Sequence, residues 1–127
     1  MATTARPTTK ALGDAVEQRA LDHLSAHGLA LVQRNYRLAR GPHARGGEVD
    51  LIMRDGDGTL VFVEVRARRD ERFGGAAASI GPAKRRSIVL AATHYLRRLP
   101  APPPCRFDVV AVDGERIEWL RAAFDAG

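Results

Sequence analysis

Apolar residues recur at four-residue spacing near the start of the chain, a pattern typical of a helix with one buried face. The recurring residues are Leu12, Val16, Ala20 and Leu24. They predict a helix over residues 11–27, which Gly28 would end. Residues 29–38 alternate less regularly and predict a strand, and residues 41–47, with one proline and three glycines, predict a loop.

The second half of the pattern begins with two strand-like runs, residues 48–54 and 60–68, separated by Asp-Gly-Asp-Gly-Thr. Acidic residues and glycines between apolar runs predict a hairpin. A Gly/Ala loop leads to Pro82, which suits the first turn of a helix running to about residue 99. The prolines of residues 100–104 forbid its continuation, and strands are predicted over 107–112 and 115–120.

This order of elements predicts the fold class. A strand, a helix and an apolar strand in succession indicate a right-handed parallel crossover beside the antiparallel hairpin. We expect an α/β protein with a central mixed sheet flanked by helices. Residues 1–10 are expected to form a flexible N-terminal arm, and residues 11–127 a single domain.

Composition supports a globular protein. Of the 127 residues, 45% are hydrophobic and 28% are charged, and no apolar run approaches the roughly 18 residues of a membrane span. The N-terminus lacks the apolar core of a secretory signal, and the single Cys105 allows no internal disulfide. A cytoplasmic protein with no membrane partner is expected.

The chain is basic, with a net charge of +5 and an isoelectric point of about 10.3. Such a charge favours polyanionic partners, because each neutralised phosphate releases counterions. Lys10 and Lys84 are the only lysines among 20 basic residues, so arginine dominates. Coding bias in the genome would produce the same excess of arginine over lysine.

Strand alternation assigns the hairpin residues to two faces, because successive side chains point in opposite directions. In the first strand, one face should carry Glu48, Asp50 and Ile52, and the other Val49, Leu51 and Met53. In the second strand, Phe62, Glu64 and Arg66 should share a face. A turn centred on Asp57 then places Asp50 opposite Glu64 and Glu48 opposite Arg66.

Two directly opposed carboxylates would have Cβ atoms about 5 Å apart and would repel each other. A divalent cation would offset that cost, and both residues offer the hard oxygen ligands that Mg²⁺ or Mn²⁺ prefers. We therefore expect a Mg²⁺ or Mn²⁺ site at Asp50 and Glu64, and no organic cofactor. The alternatives are a one-residue slip in register, which would separate the pair, and a solvated face without a ligand.

A third acidic residue, Glu17, falls on the inward face of the first helix, between Leu24 and Leu21 on a helical wheel. A charge directed at a core is costly unless it is paired or bound to a metal. Glu17 is thus a candidate third ligand, and the alternative is an ion pair with a neighbouring arginine at the helix edge.

A specific set of residues and short motifs extends over about residues 12–124: Gly13, Glu17, Arg34-Asn35-Tyr36, Gly47-Glu48-Val49-Asp50-Leu51-Ile52, Val61-Phe62-Val63-Glu64-Val65-Arg66, Phe73-Gly74, Lys84 and Arg106-Phe107-Asp108-Val109-Val110. Taken together, this set resembles the YraN-like family of uncharacterised bacterial proteins. Through that family the chain is similar to the restriction-endonuclease-like, or PD-(D/E)xK, superfamily and to archaeal Holliday-junction resolvases.

The resemblance implies a three-layer nuclease fold and a metal-dependent endonuclease acting on structured or branched DNA. It implies that Asp50 and Glu64 are metal ligands, that Glu17 is the helix acid, and that Arg66 takes the place of the superfamily's usual lysine. Arginine stays charged and cannot act as a base, but it can stabilise negative charge on a phosphate. Resolvase-like enzymes commonly act as dimers, so a homodimer is an open alternative.

Basic residues near these acids are candidates for nucleic-acid binding. They are Arg68, Arg69, Arg72, Lys84, Arg85 and Arg86. Cations are disfavoured at a helix N-terminus, so an anion beside residues 84–86 would help explain them; a solvated basic surface is the alternative. Two other functions compete with the nuclease: a non-catalytic nucleic-acid-binding module, and a partner-binding protein whose acids pair with arginines.

Overall fold

The computed structural model describes residues 8–39, 41, 46–67 and 80–126. Within them the elements follow the predicted order. They are α1 (Thr9–Ala26), β1 (Ala30–Leu38), β2 (Gly47–Arg54), β3 (Leu60–Ala67), α2 (Pro82–Arg97), β4 (Cys105–Asp113) and β5 (Arg116–Phe124). Neither helix in the described parts of the chain has the length and apolar character needed to cross a bilayer.

The strands form one mixed sheet in the order β1-β2-β3-β4-β5. β1, β2 and β3 are antiparallel neighbours, β3 and β4 are parallel and joined through α2, and β5 returns antiparallel to β4. The predicted α/β class, with an antiparallel hairpin and a parallel crossover flanked by helices, is confirmed.

The two helices cover opposite faces of the sheet and define two cores. On one face, α1 packs Ala20, Leu21 and Leu24 against β2, β3 and β4. On the other, α2 contributes Ile88, Ala91, Ala92 and Tyr95 to a cluster with Phe62 and Phe107 of the sheet. The sheet is therefore apolar on both sides, as the continuous apolar runs of β3 and β4 require.

Helix α1 begins two residues earlier than predicted, at Thr9, because the Thr8 hydroxyl caps it by accepting the Ala11 N–H at 3.0 Å. The helix ends at Ala26, and Gly28 follows its C-cap with a φ of +96°, a conformation that suits glycine. Leu12 was predicted on the buried face but is 52% exposed, because apolar packing of α1 begins one turn later, at Val16.

The hairpin register is confirmed where β2 and β3 pair. Ile52 lies opposite Phe62 and Leu51 opposite Val63, as a turn centred on Asp57 requires. The turn is closed by the Asp55 N–H, which donates to the Thr59 carbonyl, and by Gly58 at a φ of +91°.

The predicted faces of β2 are wrong at Val49, which belongs to the core under α2 while Leu51 belongs to the core under α1. The neighbouring strand changes face at the same level. Arg34 reaches Glu17 of α1, whereas Tyr36 contacts His94 and Tyr95 of α2. Between them Asn35 has a φ of +52°, a left-handed conformation that breaks the strict alternation of side chains.

β5 continues to Phe124, four residues beyond its predicted end, because it is fastened to a buried carboxylate of β4. Asp108 is fully buried and accepts hydrogen bonds from Trp119 Nε1 and the Ala122 N–H, each at 2.9 Å. Arg106 Nε donates to both of its oxygens. Ala122 has a φ of +49° where the pairing of β4 with β5 shifts register.

Candidate functional site

The candidate site lies where β2 and β3 separate. Their backbone pairing ends at Leu51 and Val63, and at the next position the Asp50 carboxylate turns between the strands. Its Oδ2 accepts the Val65 N–H at 2.8 Å, so a side chain replaces the backbone acceptor of a regular ladder. The fork holds Asp50 next to Glu64, the two acids that the hairpin register predicts to face each other.

Glu64 is only 4% exposed, and its carboxylate is the most perturbed acid of the site. Burial, followed by the negative charge of Asp50 and a hydrogen bond to it, raises the pKa of Glu64 to about 8, against the opposing charges of Lys84 and Arg66. Among the described residues its Oε2 atom is buried without a hydrogen-bond partner. The site therefore contains a buried carboxylate oxygen that accepts no hydrogen bond within that part of the chain and has an ion pair with Lys84 at 3.5 Å.

Lys84 reaches this carboxylate from the first turn of α2. Its Nζ lies 2.9 Å from Glu48 Oε1 and 3.5 Å from Glu64 Oε2. Burial lowers the pKa of Lys84, but the hydrogen bond to Glu48 and the charges of Glu64, Glu48 and Asp50 outweigh it and raise that pKa above its usual value. The anions beside this residue are thus carboxylates of the protein itself.

A glycine at the start of β2 allows α2 to bring Lys84 to the site. A Cβ atom on Gly47 would lie 2.8 Å from the Ser87 carbonyl oxygen and 3.0 Å from the Ala91 nitrogen, both backbone atoms of α2. The Glu48 N–H also donates to Ser87 Oγ at 3.2 Å. Because Lys84 precedes Ser87 by about one turn, this contact fixes where its side chain begins.

Glu17 lies on the inward face of α1, as predicted, and is 7% exposed. Its Oε1 accepts hydrogen bonds from Arg34 Nε and Nη2 and from Asn35 Nδ2, at 3.1 to 3.2 Å. The structure thus shows the ion pair that the sequence left open as the alternative. Glu17 as a third metal ligand stays a prediction.

Glu17, Asp50, Glu64 and Lys84 line one open pocket of about 330 Å³, together with Glu48 and Asn35. Within the described residues no group of three or more His, Cys, Asp or Glu side chains is gathered as a metal cluster. Asp50 and Glu64 nevertheless fit a hard divalent cation, since Mg²⁺ usually keeps several waters and binds one or two carboxylates. Glu64 Oε2, which is buried and accepts no hydrogen bond in the described chain, is the observation that supports this fit.

The predicted basic residues that the structure describes do not form one cluster. Arg66 is close enough to Glu64 to oppose the rise in its pKa, and its own Nε is buried without a hydrogen-bond partner in the described chain. Arg85 donates to the Ile80 carbonyl and lies over the Phe124 ring, and Arg86 lines a groove there on α2. Of residues 84–86, only Lys84 lines the carboxylate pocket.

Three of the predicted nucleic-acid-binding residues, Arg68, Arg69 and Arg72, lie outside the described residues. Sequence reasoning also missed the contacts of two residues in the site. Glu48 pairs with Lys84 and with Arg37, and Asn35 binds Glu17. The usable signal for Asn35 was its residue type, since asparagine tolerates a left-handed backbone better than most residues.

This chain is similar to known proteins in both sequence and fold. The family described as "Uncharacterised protein family UPF0102" matches residues 16–112. The UPF0102 protein of Methylibium petroleiphilum is 64% identical over 119 residues, which are 94% of this chain and 98% of that protein. That of Paracidovorax citrulli is 63% identical over 122 residues, which are 96% of this chain and 88% of that protein.

Among solved structures, the crystal structure of SSO0001 is similar with a TM-score of 0.46 and 16% sequence identity. The similarity covers 90% of this chain and 52% of the other, so this chain spans about half the length of that protein. The family match includes Glu17, both hairpin carboxylates and Lys84. The chain therefore belongs to the uncharacterised protein family UPF0102, in agreement with the resemblance to YraN-like proteins.

Proposed function

We propose that this protein is a metal-dependent nuclease that hydrolyses nucleic-acid phosphodiesters, with structured or branched DNA as its substrate. The observation that carries the proposal is the pair of carboxylates in the fork between β2 and β3. One of them, Glu64, is buried beside a like charge and keeps an oxygen without a hydrogen-bond partner in the described chain. Such an arrangement is costly for folding alone and is typical of sites that bind a ligand.

Asp50 and Glu64 would hold Mg²⁺ or Mn²⁺, with the remaining positions taken by water and phosphate oxygens. When bound, the ion would polarise the phosphate and lower the pKa of an attacking water. Asp50 is oriented for this task by the Val65 N–H. Arg66 would stabilise negative charge on the phosphate without exchanging a proton.

The charge of the molecule suits this substrate. The chain carries +5 overall, and a polyanion would be attracted to it. We assign phosphate contacts to Lys84, Arg85 and Arg86 and to the arginines at positions 68, 69 and 72. The proposal places the activity in the cytoplasm, and it includes a homodimer as the acting form on branched DNA.

The test is a cleavage screen of purified protein on branched, duplex and single-stranded substrates with Mn²⁺ or Mg²⁺. Asp50→Ala and Glu64→Ala should abolish cleavage, and Glu115→Gln, at an exposed turn residue, should retain it. Circular dichroism verifies that each variant is folded. The proposal would be refuted if the wild-type protein cleaved no substrate with either metal, or if both alanine variants cleaved as fast as the wild type.

A second candidate is a nucleic-acid-binding module without catalysis. The engagement of Glu17 by Arg34 and Asn35 favours it, because this third acid is already neutralised within the protein. In that case DNA binding should survive Asp50→Ala, weaken steeply as salt rises, and proceed equally well with EDTA.

A further inference from the structure

We propose that Lys84 is a catalytic residue of this site, whose ammonium contacts the scissile phosphate, and that Glu48 is the residue that positions it. The proposal rests on the nuclease function proposed above and adds to it the cation that acts on the substrate. In the hydrolysis, an attacking water forms the new P–O bond and gives its proton to solvent, while the bond to the leaving oxygen breaks and that oxygen takes a proton from solvent. Lys84 keeps its own proton and stabilises the negative charge on the phosphate oxygens.

The position of Lys84 supports this role. The residue lies in the first turn of α2, where the helix dipole disfavours a cation, and yet its side chain extends into the carboxylate pocket. Its Nζ lies 3.5 Å from the buried Glu64 carboxylate, so a phosphate bound at that carboxylate through a metal would lie within reach of the ammonium. Lys84 thus connects the metal-binding acids with the space for substrate.

The ammonium also has capacity for a ligand. It carries three N–H donors, and its ion-pair partners within the described chain are two carboxylates, Glu48 at 2.9 Å and Glu64 at 3.5 Å. Its side chain lines the pocket and is 26% exposed, so the residue is not closed off from solvent. A phosphate oxygen could therefore be bound without displacing the glutamate that orients the group.

The residue type is informative as well. Arginine occupies 18 of the 20 basic positions of this chain, but the cation that contacts both Glu48 and Glu64 is a lysine. An ammonium is a compact point charge on a flexible stem, whereas a guanidinium is a broad planar fork. The narrow space between two glutamates suits the ammonium.

Glu48 is suited to position it. Its carboxylate bonds Lys84 through Oε1 and approaches Arg37 Nε at 3.3 Å through Oε2, while its own N–H donates to Ser87 of α2. The backbone and side chain of one strand residue thus both contact α2. Loss of the Glu48 charge should leave Lys84 in the pocket but less well oriented.

The experiment compares Lys84→Met, which keeps the stem and removes the charge, with Lys84→Arg and with the control Arg54→Met. Arg54 is an exposed cation at the end of β2 and does not line the carboxylate pocket. On the substrate that wild type cleaves, Lys84→Met should lower kcat by about 100-fold with KM changed less than about threefold. Lys84→Arg should recover part of the loss, and Arg54→Met should keep the wild-type kcat.

Mn²⁺ binding, followed by calorimetry without nucleic acid, gives a second measurement. Removal of an ammonium 3.5 Å from Glu64 should tighten Mn²⁺ binding in Lys84→Met, whereas a variant that had merely disturbed the fold would bind the metal more weakly. Glu48→Gln should lower kcat less than Lys84→Met does. If Lys84→Met cleaves with the wild-type kcat while Asp50→Ala is inactive, this proposal fails and the nuclease stands; if wild type cleaves nothing, the nuclease fails and takes this proposal with it.

Discussion

Replacing Glu64 by glutamine should change how the stability of this fold depends on pH. Burial, together with the charge of Asp50, raises the pKa of Glu64 from 4.5 to about 8. Between those values the folded protein holds a proton that the unfolded chain has released, so the stability of the wild type falls as the pH rises through this window. Glu64→Gln cannot ionise and should escape that fall.

The magnitude follows from the pKa. At about 1.4 kcal/mol per pKa unit, the rise in the pKa of Glu64 limits the loss of folding stability to about 5 kcal/mol once the pH exceeds 8. Relaxation of the fork and entry of water reduce it, and we expect Glu64→Gln to gain about 2 to 4 kcal/mol over wild type between pH 4.5 and pH 9.

Urea unfolding in EDTA, followed by the fluorescence of Trp119, measures this difference at each pH. EDTA matters because a cation bound at the fork would itself offset the repulsion. Glu115→Gln, an exposed substitution, should track the wild type at every pH. A constant free-energy difference between Glu64→Gln and wild type from pH 4.5 to pH 9 would refute the reasoning, because it would mean that Glu64 titrates alike in the folded and unfolded states.

Three further predictions concern the scaffold of the site, and urea unfolding checks each. Gly47→Ala should cost about 1 to 3 kcal/mol, because its methyl group would meet α2 backbone 2.8 Å away, whereas Gly13→Ala, with nothing within 4 Å, should be neutral or stabilising; equal effects would contradict the close contact. Asp108→Ala should cost about 2 to 4 kcal/mol, because it removes the buried acceptor shared by the half-buried Arg106 and Trp119 side chains and the Ala122 N–H, and a loss below about 1 kcal/mol would contradict that role. Ala122→Gly should gain about 1 kcal/mol by relieving a left-handed alanine, and a loss of stability would argue against the strained conformation.

The sequence was sufficient for those parts of the fold that local patterns determine. The Asp-Gly-Asp-Gly-Thr turn determines the hairpin register, and the register brings Asp50 and Glu64 to the same level. Proline and glycine mark the ends of the helices because their backbone preferences act within a residue or two. The resemblance to the YraN-like family rests on residue identities alone.

The rest depends on contacts between distant parts of the chain. Strand alternation predicted the wrong face for Val49. The alternation of side chains breaks at Asp50 in β2 and at Asn35 in β1. Each break accompanies a tertiary contact, because Asp50 accepts the Val65 N–H and Asn35 donates to Glu17. The convergence of Lys84 on Glu64 depends on how closely α2 approaches β2, which is decided by the missing Cβ of Gly47. Neither the break in side-chain alternation nor the close approach of α2 to β2 is encoded in a local sequence pattern.

The left-handed residue Asn35 has a consequence for the motions of the molecule. Because the strand changes face there, an outermost strand is attached to both helical layers, through Arg34 to Glu17 of α1 and through Tyr36 to His94 of α2. Detachment of β1 would therefore loosen both layers in a single opening event. Amide exchange in α1 and α2 should then rise together when β1 opens, although the two helices lie on opposite sides of the sheet.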